Sequence, residues 1–127
     1  MHTHYLFEYA VIRIMPRVER GEFLNAGVIL YCPKQQFLKA KYLLDKKKIA
    51  YLCGKTDIQE LEDNLKIFER ISNGSADAGP IAQLPIAERF RWLTATRSTI
   101  IQTSKVHPGF CTDAGEMLER LFEQLVV

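Results

Sequence analysis

The stretch 11–31 (VIRIMPRVERGEFLNAGVILY) contains two apolar runs, at 11–15 and 26–31, that a charged connection separates. Runs of this kind are typical of strands buried in a sheet, whereas the connection carries too much charge to be buried without partners. Pro16 ends the first run because proline has no backbone donor for a strand ladder, and Gly21 allows backbone angles that other residues resist. The stretch therefore predicts two core strands that hold a polar loop, a common place for functional residues.

Composition limits the class of protein. A chain of 127 residues that is 47% hydrophobic and 25% charged is predicted to form a single domain, 1–127, with its own core. The 17 basic and 15 acidic residues give a formal net charge of +2. This balance makes nucleic-acid binding or a membrane-surface location an unlikely main role, although it leaves room for a local basic patch.

The N-terminus and the cysteines indicate a cytoplasmic protein. The opening residues, MHTHYLFEYAVIRI, lack the features of a signal peptide, and their apolar run is too short to span a bilayer. The three cysteines include no CxxC pair, so we expect reduced thiols without a zinc site or a disulfide framework. The chain contains no Gly-rich phosphate loop, HExxH or GxSxG pattern, and we expect neither a metal nor a cofactor.

Apolar alternation predicts four strands, near 5–15, 24–32, 37–44 and 99–106. The first is apolar on both faces, as expected of a central strand. Gly27 within the second strand indicates a bulge or a close approach of another group. Lys39 and Lys41 on one face of the third strand are typical of a sheet edge. The triplet His-Pro-Gly at 107–109 predicts the end of the fourth strand, with His107 in the following loop.

Helical periodicity predicts four helices, at 46–53, at 57–73, from Pro85 onward and from Asp113 onward. Asp45 and Asp113 are predicted N-caps, Thr56 and Gln59 form a capping-box pattern, and Asn73-Gly74 is a predicted helix end. The apolar stripes place four large side chains in the core: Leu65, Phe68, Leu121 and Phe122. The fold class is therefore α+β, a mainly antiparallel sheet of about four strands with helices packed on it.

Polar residues in two distant segments suggest a binding site. The candidates are arginines and hydroxyls at predicted strand ends: Arg13, Arg17, Arg20, Arg97, Ser98 and Thr99. Arginine with neighbouring hydroxyls suits phosphate or carboxylate, because its planar fork donates two parallel hydrogen bonds. We therefore expect Arg17 and Arg97, with Arg13 or Arg20 nearby, to form the most electropositive concavity of the protein, which would bind an anion if carboxylates do not offset its charge.

Each candidate also has an ordinary structural explanation. Glu19, Glu22 and Glu88 are available to close an ion-pair network around the arginines, and Arg13 at a strand end can extend its side chain to water. The other polar candidates are Glu22, Asn25 and His107. An enzyme would use His107 as a base oriented by Glu22 or Asp113, but no spacing of these residues supports catalysis.

Two stretches resemble a known family. Residues 11–33 (VIRIMPRVERGEFLNAGVILYCP) and 79–109 (GPIAQLPIAERFRWLTATRSTIIQTSKVHPG) resemble the bacterial family catalogued as domain of unknown function 3037. Thr96 departs from the proline expected before the Arg-Ser-Thr triplet. The family has no assigned activity, so the resemblance carries over no catalytic residues. Its members resemble small cytoplasmic proteins often encoded beside a HipA-like kinase, of the kind found in toxin–antitoxin pairs, which implies an accessory or regulatory role.

These observations lead to one main functional expectation and two alternatives. We expect a non-enzymatic module that binds a protein partner, which the resemblance implies to be the HipA-like kinase, with the anion site as a secondary feature. The first alternative is an enzyme acting on a phosphorylated or nucleotide substrate at the arginine patch. The second is weak nucleic-acid binding.

Overall fold

The computed structural model describes residues 4–15, 22–53, 58–95 and 99–127, which form an open antiparallel sheet with helices on both faces. The described strands are β1 (Tyr5–Ile14), β2 (Leu24–Cys32), β3 (Phe37–Tyr42), β4 (Ile101–Thr103) and β5 (His107–Cys111). The helices are α1 (Lys46–Cys53), α2 (Ile58–Asn73), α3 (Ile86–Leu93) and α4 (Ala114–Leu125), with a 3-10 turn at Ile81–Gln83. The predicted α+β class is confirmed.

Strand β1 is the centre of the sheet. The strand order is β3-β2-β1-β4, and β5 pairs with β1 on the same side as β4. β4 lies beside Ile12–Ile14 and β5 beside Tyr5–Tyr9, so the two short strands together border the length of β1. The apolar character of both faces of β1 follows from this central position. The lysines of β3 lie at the opposite edge of the sheet, as predicted.

The prediction for Gly27 is also confirmed. The β1–β2 register shifts between Ile12 and Arg13, which marks a bulge next to the glycine. A Cβ atom on Gly27 would lie 2.4 Å from the carbonyl oxygen of Lys41 and 2.8 Å from Cβ of Tyr42. Only glycine allows β3 to approach β2 this closely at the bulge.

The prediction that a strand ends before 107–109 and leaves His107 in a loop is wrong. β4 spans only three residues, and after Ser104 the chain rejoins the sheet at His107 as β5. Pro108 is tolerated because β5 is an edge strand, where one side of the backbone needs no partner. Gly109 is required by the ring of Phe7, since an added Cβ would lie 2.6 Å from its Cζ atom.

The helix ends follow the predicted local chemistry. Asp45 accepts hydrogen bonds from the backbone N–H groups of Lys47 and Lys48, and Asp113 accepts one from Gly115. α2 ends in a Schellman motif at Gly74, whose φ is +70°. The predicted capping box of α2 lies partly outside the described residues, because Thr56 is not among them.

In the described ranges, no helix is long and apolar enough to cross a membrane.

The helices bury both faces of the sheet. α2 and α3 cover Ala10, Ile12 and Ile29, whereas α4 covers the opposite face at Phe7, Val28 and Leu30. The four predicted core residues are confirmed, with exposed fractions of 0% for Leu65, 8% for Phe68, 9% for Leu121 and 6% for Phe122.

Candidate functional site

Four of the six predicted anion-site residues lie outside the described residues: Arg17, Arg20, Arg97 and Ser98. The expected proximity of Arg17 and Arg97 therefore stays a prediction. Arg13 and Thr99 are described, and both lie near the same end of the sheet, where the N–H of Met15 donates to the carbonyl of Ile100 over 2.7 Å.

Arg13 lies on the face of the sheet that α4 covers, because it alternates along β1 with the buried Ile12 and Ile14. Its guanidinium carbon lies 4.1 Å from the centroid of the Phe23 ring, a cation–π contact. Its Nε is buried and forms no hydrogen bond within the described structure. The ion pairs among the described residues involve Lys41 and Arg70, not Arg13.

Asn25 is the cross-strand partner of Arg13. Its Nδ2 donates to the carbonyl of Leu125 at the end of α4 over 3.1 Å, so its amide anchors the helix to the sheet. Its Oδ1 is buried and accepts no hydrogen bond within the described structure. Glu22, three residues earlier, is exposed.

His107 is remote from the carboxylates considered for it. Its ring packs on Tyr9, with centroids 5.4 Å apart, and it is exposed. His107 pairs with Tyr9 and Leu24 pairs with Ile14, so about 3.4 Å per residue puts about 17 Å between these points along β1. Asp113 lies past the other end of β5 and caps α4. The structure thus does not bring His107 together with Glu22 or Asp113.

Thr99 lines a concavity that we call the α2–β4 groove. Its volume is about 530 Å³, and it lies between α2, the end of α3 and β4. Its hydroxyl donates to the carbonyl of Ile101 over 2.6 Å, which shapes the turn into β4. The groove is lined by Glu60, Asn64, Ile67, Phe68, Ile71, Trp92, Leu93, Ala95 and the residues from Thr99 to Thr103.

One wall of the groove is a stripe of α2 that lies beside the stripe facing the core. Leu61 and Leu65 are buried in the core, and Phe68 and Ile71 are buried but also border the groove. Asn64 and Ile67, at helical spacings of three and four residues from them, extend this border toward solvent. Ile67 is 52% exposed, and Trp92 in the last turn of α3 is 39% exposed. We did not predict this site from the sequence. The available signals were a large apolar residue off the Leu61–Leu65 stripe of α2 and a tryptophan outside the apolar stripe that Ile86, Phe90 and Leu93 form on α3.

The groove is lined mostly by apolar side chains. Asn64, Gln102 and Thr103 add hydrogen-bonding groups to this lining. Among the described residues, no group of three His, Cys, Asp or Glu side chains could hold a metal ion.

Among the described residues, the side chains whose pKa values are clearly shifted lie outside the groove. Burial, with the nearby Glu69 and Glu62, raises the pKa of Tyr42. A hydrogen bond and the charge of Arg70 lower the pKa of Asp77. Burial and the neighbouring Cys32 thiol raise the pKa of Cys111. None of these three titrating side chains lines the groove.

Comparisons with known proteins give a family but no individual relative. Searches of the curated proteins and of the solved structures return no match. A family model does match, over residues 9–126 of the 127-residue chain, and this range contains both stretches on which the resemblance rested. The chain therefore belongs to the family described as protein of unknown function (DUF3037).

Proposed function

We propose that this protein is a non-enzymatic accessory or regulatory module that binds a protein partner in the α2–β4 groove. The observation that carries the proposal is the exposure of Ile67 and Trp92 beside a groove of about 530 Å³. Large, exposed apolar side chains beside an apolar concavity are typical of protein interfaces. In such interfaces a few side chains that become buried on binding supply most of the binding energy.

The openness of the groove favours a protein over a small molecule. Glu60, Ile67, Ala95 and Thr99 are all exposed along its border. Small ligands usually have most of their surface buried by the protein, whereas an apolar segment of a partner can cover an open groove and its rim together. The occupant that we propose is an apolar segment of a HipA-like kinase, the partner that the family resemblance suggests.

Co-expression with a HipA-like kinase, followed by size-exclusion chromatography, tests the proposal. We expect the two proteins to elute together, and Ile67→Glu to abolish the complex because it places a charge in an apolar contact. Ile67 is exposed, so this change should leave the fold intact, which circular dichroism checks.

A matched control is available in Leu43, which is 51% exposed and does not line the groove. Leu43→Glu should leave the complex intact. Separate elution of the two wild-type proteins, or a complex that survives Ile67→Glu, would exclude the proposed mode of binding.

A further inference from the structure

A second surface, separate from the groove, combines exposed aromatic rings with cations. Phe23, Leu24, Lys47, Lys48 and Tyr51 line a shallow depression of about 360 Å³ between the start of β2 and α1. Arg13 adjoins it, because its guanidinium lies over the Phe23 ring. We call Arg13, Phe23, Lys47, Lys48 and Tyr51 the basic aromatic surface.

The aromatic rings of this surface are unusually accessible. Tyr51 is 94% exposed and Phe23 is 45% exposed. α1 turns Ile49, 1% exposed, into the core next to Ile14 and Ala26. Lys47 and Tyr51, four residues apart, therefore share an outward stripe of the helix. The ring of Tyr51 and the part of the Phe23 ring that Arg13 leaves open are thus presented to solvent beside a flexible cation.

The charges of this surface are not neutralised by described carboxylates. The described ion pairs involve neither Arg13, Lys47 nor Lys48. Lys46, Lys47 and Lys48 occupy the first turn of α1, which has no acidic residue and already carries the positive end of the helix dipole. Asp45 accepts hydrogen bonds from two backbone N–H groups of this turn, and Glu22, next to Phe23 in the sequence, is exposed. An anionic ligand would relieve this accumulation of positive charge.

We propose that the basic aromatic surface binds single-stranded nucleic acid, with bases stacked on Tyr51 and Phe23 and phosphates held by Lys47, Lys48 and Arg13. Sequence-tolerant single-strand binding uses this combination of stacking rings and cations. An acidic peptide would satisfy the lysines but would leave the flat rings without matching partners. A duplex hides its base faces, and the net charge of +2 provides little attraction for its dense phosphates.

Fluorescence anisotropy with a labelled single-stranded oligonucleotide of about 12 nucleotides tests the proposal. We expect saturable binding at about 50 mM salt that weakens at about 200 mM. With about three phosphate contacts, log K should fall with log salt at a slope of about −2. Tyr51→Ala should weaken binding roughly 5- to 140-fold, the loss expected for one stacked base.

Control variants separate stacking from charge. Tyr51→Phe keeps the ring and should bind like the wild type, and Lys47→Gln with Lys48→Gln should lower the salt slope by about 1.4. Ile67→Glu, which alters the α2–β4 groove, should leave nucleic-acid binding unchanged. The wild-type protein should bind polyglutamate far more weakly than the oligonucleotide.

Three results would overturn the inference. The first is no binding at about 50 mM salt. The second is binding that Tyr51→Ala does not weaken, which would reduce the contact to nonspecific charge attraction. The third is polyglutamate binding as tight as oligonucleotide binding, which would assign the surface to an acidic protein segment. Because the α2–β4 groove and the basic aromatic surface share no residues, the failure of this inference would leave the proposed kinase partner untouched.

Discussion

At the scale of single residues, two buried serines show how position decides the contribution of one hydroxyl. The Oγ of Ser104 accepts a hydrogen bond from the backbone N–H of Val11 over 2.8 Å and donates to the carbonyl of Lys105. The Oγ of Ser72 donates to the carbonyl of Glu69, three residues earlier in the same helix. Ser104 thus satisfies a backbone donor of the central strand, whereas Ser72 binds an acceptor within its own helix.

We therefore predict that the same substitution has different effects at the two sites. Ser104→Ala should lower the free energy of unfolding by about 1–3 kcal/mol, because it leaves the Val11 N–H buried without an acceptor. Ser72→Ala should change it by less than about 0.5 kcal/mol, since alanine is the better helix former and no donor loses its partner. Urea melts of both variants measure the difference, and equal losses would contradict this account.

At the scale of secondary-structure elements, the sheet has two places where a neighbouring group lies too close to a glycine to leave room for a Cβ atom. These places are Gly27 in β2 and Gly109 in β5. At Gly27 the obstacle to a side chain is the backbone of β3, whereas at Gly109 it is the ring of Phe7. A backbone held in a strand ladder cannot move without breaking its hydrogen bonds, but an aromatic ring can shift within the core at a lower cost.

Alanine at these two positions should therefore destabilise the protein to different degrees. We predict a loss of about 1–3 kcal/mol for Gly109→Ala and a larger loss for Gly27→Ala, measured by thermal or denaturant melts. A double-mutant cycle sharpens the test: Phe7→Leu should recover part of the loss caused by Gly109→Ala and none of that caused by Gly27→Ala. Additive effects in the first pair would show that the ring is not the obstacle.

At the scale of the whole molecule, the sheet separates two apolar cores that belong to one fold. Phe68 on α2 packs against one face and Phe122 on α4 against the other, and both are at most 8% exposed. Both cores include side chains of β2, on alternate residues, so the loss of one core removes support from the other. The described structure therefore favours a single cooperative unfolding transition.

We predict that Phe68→Ala and Phe122→Ala each cost about 3–5 kcal/mol in the same transition. Because the sheet lies between the two rings, their effects should add to within about 0.5 kcal/mol in the double variant. Denaturant unfolding followed by circular dichroism and by fluorescence checks both statements. Separate transitions for the two variants, or a loss below about 1 kcal/mol, would contradict them.

Much of the fold was predictable because its signals are local. The alternation in β1 to β3, the aspartate caps at 45 and 113 and the glycine end of α2 involve residues within a few positions of one another. The β4–β5 boundary was misjudged for the same reason. Pro108 and Gly109 are local signals of a break, but an edge position and the Phe7 ring, which is distant in sequence, make them suitable for a strand.

The sequence by itself determined the fold class, the core residues and the family, because apolar periodicity and motifs are written in consecutive positions. Only the tertiary structure decided which side chains come together to form the two proposed binding surfaces. The α2–β4 groove joins side chains from three elements, and the stacking of Arg13 on Phe23 depends on the register between β1 and β2. Such sites arise from contacts between segments far apart in the chain, whose arrangement no local pattern specifies.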